Sequence, residues 1–352
     1  PNCLIDCILA VLSSTLLFLA AFTLNCIILI MSDKIWKFDI LIDDSFVNFN
    51  PNSVEITPDT NDFLISLING FEEGHWMKKN FQNFIYNNIA ETALKAEERM
   101  KIVDDSYSCL VESAKHLRLI DRDGVDEEVK KRDKGRGSEI AEIVLYGIMK
   151  HHFNAIPAIP KIYYKQNDNM NAFGDDSVHI VLTKDSDFQI WLGEAKFYND
   201  LEDKRFNEPL SSIAQMLNSA IIRKELGILT GLNELDVVLR DIPEMLKKVK
   251  NILKNFTSID EIKKRLHVPI LLLHECEITN GATTLNKEYK DKIVTYHYDR
   301  ATSYFKKQII KFKGYVDYDK INFHLILFPV PNKSEIVEWF ISRAKTLRED
   351  AQ

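Results

Sequence analysis

The stretch from Gly174 to Tyr198, GDDSVHIVLTKDSDFQIWLGEAKFY, constrains this chain more than any other. Two apolar runs flank the polar loop TKDSD, Thr183 to Asp187, a pattern that predicts an antiparallel hairpin. Pairing Leu182 with Phe188 sets Ile180 against Ile190 and Val178 against Leu192, and the next pair outward is Asp176 with Glu194. Strand side chains alternate faces, so Asp176, Val178, Ile180, Leu182, Ile190, Leu192, Glu194 and Lys196 share one. That face is apolar for three rungs and then ends in two carboxylates and an ammonium. Burying a charge costs several kcal/mol unless something pairs with it. Like charges directly opposed across a sheet, with Cβ atoms about 5 Å apart, destabilise it further. Two arrangements relieve the repulsion. Lys196 serves as a simple salt-bridge partner, or a divalent cation sits between the carboxylates, as hard cations take oxygen ligands. A cation held this way activates a water and polarises a phosphoryl oxygen. An ammonium beside it stabilises the developing charge. Asp…Glu-x-Lys on neighbouring strands therefore suits phosphodiester hydrolysis.

The rest of the chain sets limits on that chemistry. Of 352 residues, 45% are hydrophobic and 28% charged, ordinary values for a globular protein with a real core. The net charge of -7 excludes a globally basic nucleic-acid binder, so any DNA surface must be a local patch. Cys3, Cys7, Cys26, Cys109 and Cys276 show neither metal-ligand spacing nor a disulfide framework, which fits a reducing compartment. Residues 3–30 carry one charge, Asp6, and are long enough to span a bilayer. No basic residue precedes Lys34, the chain begins with Pro1, and MSDK at Met31 resembles a start of translation. Residues 1–30 are therefore expected to stand outside the native fold, with a membrane anchor as the rival reading.

From Met31 the alternation predicts one or two strands, and NPNSVEITPDTN predicts turns. Asp62 to Leu119 is expected to be mainly helical, on the spacing in FLISLINGF and FQNFIYNNIAETALKAEERMKIV. A polar stretch follows, Leu119 to Gly137, in which five of the seven residues from Lys130 to Arg136 are basic. It divides an N-terminal strand-and-helix region, 31–130, from a second domain, 131–352. In that domain the expected order is a helix capped by Ser138, a strand PKIYYK, the hairpin, and a helix from Ser211. A helix EMLKKVKNILKNF, a strand HVPILLLHEC, a long helix, a strand INFHLILFPV and a terminal helix SEIVEWFISRAKTL complete it. The fold class is α/β, a mixed sheet flanked by helices on both sides.

At this point the residues resemble a known family. GDD…GEAK resembles the PD-(D/E)xK nuclease motif, and GSEIAEIVL, DSVHI and LGEAKFY are similar to the nuclease subunit of the Hachiman anti-phage defence system. The similarity is strongest over residues 136–225. It implies a restriction-endonuclease-like core and a Mg2+- or Mn2+-dependent deoxyribonuclease. By position, Asp176 matches the motif aspartate, with Asp175 as the fallback; Glu194 and Lys196 match ExK; the Ala195 carbonyl would be a further metal ligand. The family's helix glutamate matches Glu139 best, with Glu142 one turn on as the alternative. Gly174 or Asp175 stands where the motif's name has proline. Beside such a site, Lys130, Lys131, Arg132, Lys134 and Arg136 become candidates for DNA phosphates or remain a solvated linker. His179, on the opposite sheet face, is expected to be a core histidine, and Gln215 either a site residue or a packing residue. The resemblance further implies a separately encoded helicase partner in the cytoplasm. Any ATP dependence would be the partner's, because the chain has no ATP-binding glycine loop. The region Asp62 to Leu119 is its expected docking surface, or else a helical layer closing the core. The competing functions are a non-catalytic interaction subunit with salt-bridged carboxylates, and a membrane-tethered protein.

Overall fold

Two runs, LHVPILLLHE and NFHLILFPV, are apolar at alternate and intervening positions alike, which suits strands covered on both faces. The computed structural model, which describes residues 38–45, 61–119, 137–165, 175–256 and 258–351, puts them side by side in the middle of a seven-stranded sheet. In chain order the strands are β1 (Asp39–Ser45), β2 (Asp62–Ile68), β3 (Ile156–Ile159), β4 (Ser177–Leu182), β5 (Phe188–Tyr198), β6 (Leu266–Glu275) and β7 (Asn322–Val330). Their spatial order is β1-β2-β7-β6-β5-β4-β3. The four inner strands β2, β7, β6 and β5 run parallel. β1 is antiparallel at one edge, and β4 and β3 complete an antiparallel meander at the other. This is the mixed α/β class expected.

The helices that matter here are α1 (Lys78–Ala93), α2 (Ser138–Phe153), α3 (Lys161–Lys165), α4 (Asn207–Met216), α5 (Ser219–Gly231), α6 (Lys287–Lys311) and α7 (Lys333–Glu349). Val178, Ile180, Ile190 and Leu192 share one buried cluster with Leu210 and Ile213 of α4 and with Tyr304 and Phe305 of α6. On the other face α2 packs against the sheet, its Tyr146 ring 4.4 Å from that of His179. This close approach depends on Gly193. A Cβ there would come within 2.2 Å of Ser177 Oγ and 3.0 Å of both Leu145 Cδ2 and Pro269 Cγ. Pro269 has no N–H to give the β5–β6 ladder, which breaks after Trp191/His267 and resumes at Glu194/Ile270. The resumption point is the motif glutamate.

Four expectations are corrected. FLISLING is not helical: Asp62–Ile68 is the buried strand β2, inserted beside β7. A seven-residue segment with five apolar residues has no helical or strand signature of its own, and burial on both faces decided it. That part of Asp62 to Leu119 is sealed inside the sheet and offers no docking surface. PKIYYK is the short helix α3, and the strand lies just before it at Ile156–Ile159. Pro160 sits where a helix begins, accepting from Tyr164 N–H at its carbonyl, and Pro157 is tolerated because β3 is an edge strand. The N-cap of α2 is Gly137, with a left-handed φ of 93°, and Ser138 is the first helical residue. The helix expected from Ser211 is two helices, α4 and α5, because the Asn218 side chain accepts the Ala220 N–H at 2.9 Å and starts a new one. The boundary near residue 130 and residues 1–30 lie outside the described residues, and β1 and β2 share the sheet of the strands that follow. No helix among the described residues is long and apolar enough to cross a membrane.

Asp62, at the start of β2, yields a pH test. Burial raises its carboxyl to about 7, against hydrogen bonds from Tyr318 and Gln308, the latter 3.0 Å long. An unfolded aspartate loses its proton near 3.8, so between these values the folded state holds more protons and stability falls as pH rises. Asp62→Asn removes the titrating group. Its Tm relative to the parent should climb by several degrees between pH 4 and pH 8. A difference that stays flat across that range would refute the assignment.

Candidate active site

The hairpin adopts the expected register, with Leu182 paired to Phe188, Ile180 to Ile190, Val178 to Leu192 and Ser177 to Gly193. Asp176 lies one residue beyond, its N–H donating to the Gly193 carbonyl at 2.8 Å. Its Oδ2 accepts the Ala195 N–H at 3.0 Å, so the motif aspartate is fixed against the backbone of the opposite strand. Lys196 Nζ stands 3.6 Å from Asp176 Oδ2 and 2.5 Å from Glu194 Oε1. That 2.5 Å contact makes Lys196 the partner of the buried Glu194 Oε1. Asp176, Glu194, Ala195 and Lys196 thus converge at the end of the β4–β5 hairpin.

The helix carboxylate is decided differently. Glu139 is bound to the main chain: its two oxygens accept the N–H groups of Arg118 at 2.7 Å and Leu119 at 2.8 Å. Glu142, one turn further into α2, reaches the cluster instead. Its Oε1 lies 2.8 Å from Lys165 Nζ, and Lys165 lies 3.0 Å from Asp176 Oδ1. Of the two candidates, Glu142 is the one that contacts the lysine holding Asp176. Lys165 itself escaped the sequence reading, because a residue at the end of a supposed strand gave no reason to turn inward. The i, i+4 spacing of Lys161 and Lys165 was the available signal, since on a helix it puts both on one side.

Asp175, the fallback, points elsewhere. It is buried and pairs at 2.9 Å with Lys161, which also holds Glu225 of α5 at 3.1 Å. All three side chains are essentially sealed from solvent. His179 is a core histidine against Tyr146, pushed down to about 3 and neutral because burial disfavours its charge. Gln215 is exposed, so it is not the buried packing residue considered. α4 contributes other groups. Ser212 hydrogen-bonds Glu194, and Glu208 accepts from Tyr198 Oη at 3.2 Å while attracting Lys196. The basic run Lys130 to Arg136 lies outside the described residues.

Three carboxylates and two ammonium groups make the cluster electrostatically unbalanced. Burial pushes Glu194 up to about 8, and the Asp176 charge adds to it, with Lys196 and Ser212 opposing. Glu142 is likewise raised to about 7, first by burial and then by Asp176 and Glu139, against the pull of Lys165. Burial raises Asp176 too, but Lys165, Lys196 and the Ala195 N–H outweigh it and bring it down to about 2. Lys165 and Lys196 are raised in turn, the carboxylates overcoming the cost of burying their charge.

Lys165 and Lys196 favour the ionised form of one carboxylate, Asp176, while burial favours the protonated form of a second, Glu194, whose Oε1 lies against Lys196. Such a pair fits a cation that would favour the ionised form of both. Among the described residues no three Asp, Glu, His or Cys side chains group closely enough to hold a metal by themselves. A cation on Asp176 and Glu194 would complete its shell with water, main-chain or substrate oxygens, as Mg2+ commonly does. A family model described as HamA matches residues 43–344. No curated protein matches the chain.

Proposed function

The chain belongs to the HamA family, of the Hachiman anti-phage defence system, and from that premise we propose that it is a metal-dependent deoxyribonuclease working with a separately encoded helicase. The observation that carries the reading is the convergence of Asp176, Glu194 and Lys196 at the end of the β4–β5 hairpin, with the Ala195 N–H holding Asp176 in place. A divalent cation on those carboxylates would supply an activated water and polarise the scissile phosphate. The protein's own groups do the rest. The Ala195 N–H keeps the Asp176 carboxylate turned toward Glu194. Lys196, charged at any physiological pH, stabilises negative charge building on the phosphate. Ser212 orients Glu194 from α4.

A partner fits the charge balance. An acidic chain has modest affinity for DNA on its own, so delivery to DNA and any use of ATP would fall to the helicase. The test is incubation of the purified protein, with and without the helicase, with supercoiled and linear plasmid in Mg2+, Mn2+ or EDTA. Cleavage in metal and none in EDTA is the expected result. No cleavage under any condition, helicase included, would favour the non-catalytic interaction subunit, in which Lys165 and Lys196 neutralise the carboxylates permanently.

A further inference from the structure

Asp176 has no free oxygen. Lys165 occupies Oδ1 at 3.0 Å, while the Ala195 N–H and Lys196 occupy Oδ2 at 3.0 Å and 3.6 Å. The two lysines differ in kind. Lys196 belongs to the motif strand, whereas Lys165 comes from the last turn of a five-residue helix and bridges Asp176 to Glu142 on α2. Four residues earlier, Lys161 pins the same helix through a separate buried ion cluster. The backbone of α3 is thus anchored, but the Lys165 side chain is 25% exposed and has a route to solvent that Lys161 lacks.

We infer that Lys165 is a built-in cation that competes with the divalent metal for Asp176 and so sets the metal affinity of the site. This rests on the metal-dependent reading above. An ammonium between two carboxylates satisfies them electrostatically without a metal. A metal must therefore displace Lys165 from Oδ1, and its apparent affinity falls by the strength of that internal pair. Once displaced, the Lys165 ammonium stands beside the site on a flexible stem, where a DNA phosphate is its natural new partner. Metal binding and phosphate binding then favour each other, because each relieves the contact that the other needs broken.

The test measures Mn2+ binding by calorimetry or electron paramagnetic resonance, without DNA, on the full chain and on K165M, K165Q, K165R and D176N. Lys165→Met removes the competitor and should tighten Mn2+ binding tenfold or more. Lys165→Gln, which keeps hydrogen-bond donors for Asp176 and Glu142 but not the charge, should do the same and guards against a packing failure in K165M. Lys165→Arg should stay within threefold of the parent, and Asp176→Asn should lose binding. If the parent binds Mn2+ and both neutral variants bind it equally or more weakly, the competition is overturned while the metal site stands. If neither the parent nor the neutral variants bind Mn2+, the metal-dependent reading falls and the competition with it.

Discussion

Glu194→Ala and Asp176→Asn should each lower metal-dependent DNA cleavage about a thousandfold or more, the scale seen when charge-stabilising groups are removed from an active site. The stability of the two variants should diverge. Glu194 is a buried carboxylate raised to about 8, so folding already suppresses its charge, and its removal should leave the protein as stable or more so above neutral pH. Asp176 is the anion on which Lys165 and Lys196 both rest, so Asp176→Asn should be destabilising as well as inactive. Rates of plasmid cleavage and thermal melts, read together, separate these effects. Wild-type cleavage by Glu194→Ala would sink the assignment of the site. A fall in activity matched by unfolding would assign that loss to structure alone.

Lys161→Met should cost about 3–5 kcal/mol of folding stability, the range for breaking a buried pair and stranding its partner. Lys161 bridges Asp175 at 2.9 Å and Glu225 at 3.1 Å. Burial and Asp175 already raise Glu225 to about 7, with Lys161 the opposing influence. Without it burial would favour the protonated form of Glu225 still more, so the loss should grow with rising pH. Urea unfolding at pH 6 and pH 8 measures this, and the double variant with Glu225→Gln should recover part of the loss. A cost below about 1 kcal/mol, outside that range, would mean that the cluster is open to solvent.

Several parts of the fold were legible without coordinates. Alternation with period two set the hairpin register, and with it the proximity of Asp176 to Glu194. The apolar runs of β6 and β7 announced strands, and the three-and-four spacing of α1 announced a helix. Other parts were not legible, for reasons specific to each. FLISLING is too short for periodicity to separate a helix from a buried strand. KIYYK, which follows Pro157 and Pro160, has strand-forming tyrosines and an isoleucine, yet Pro160 starts a helix.

The site divides along the same line. Residues on one hairpin are related by a two-residue period and a ladder of hydrogen bonds, so the sequence alone determined that Asp176, Glu194 and Lys196 would meet. Glu139 and Glu142 lie one turn apart on one helix, and nothing local distinguishes them. Only the packing of α2 on Gly193, and the capture of Glu139 by the Arg118 and Leu119 N–H groups, turned Glu142 toward Lys165. The pairing of Asp175 with Lys161 and of Asp176 with Lys165 needed three elements in place at once. Contacts between neighbours on a regular backbone follow from periodicity; contacts between elements depend on where the whole core lets each one settle.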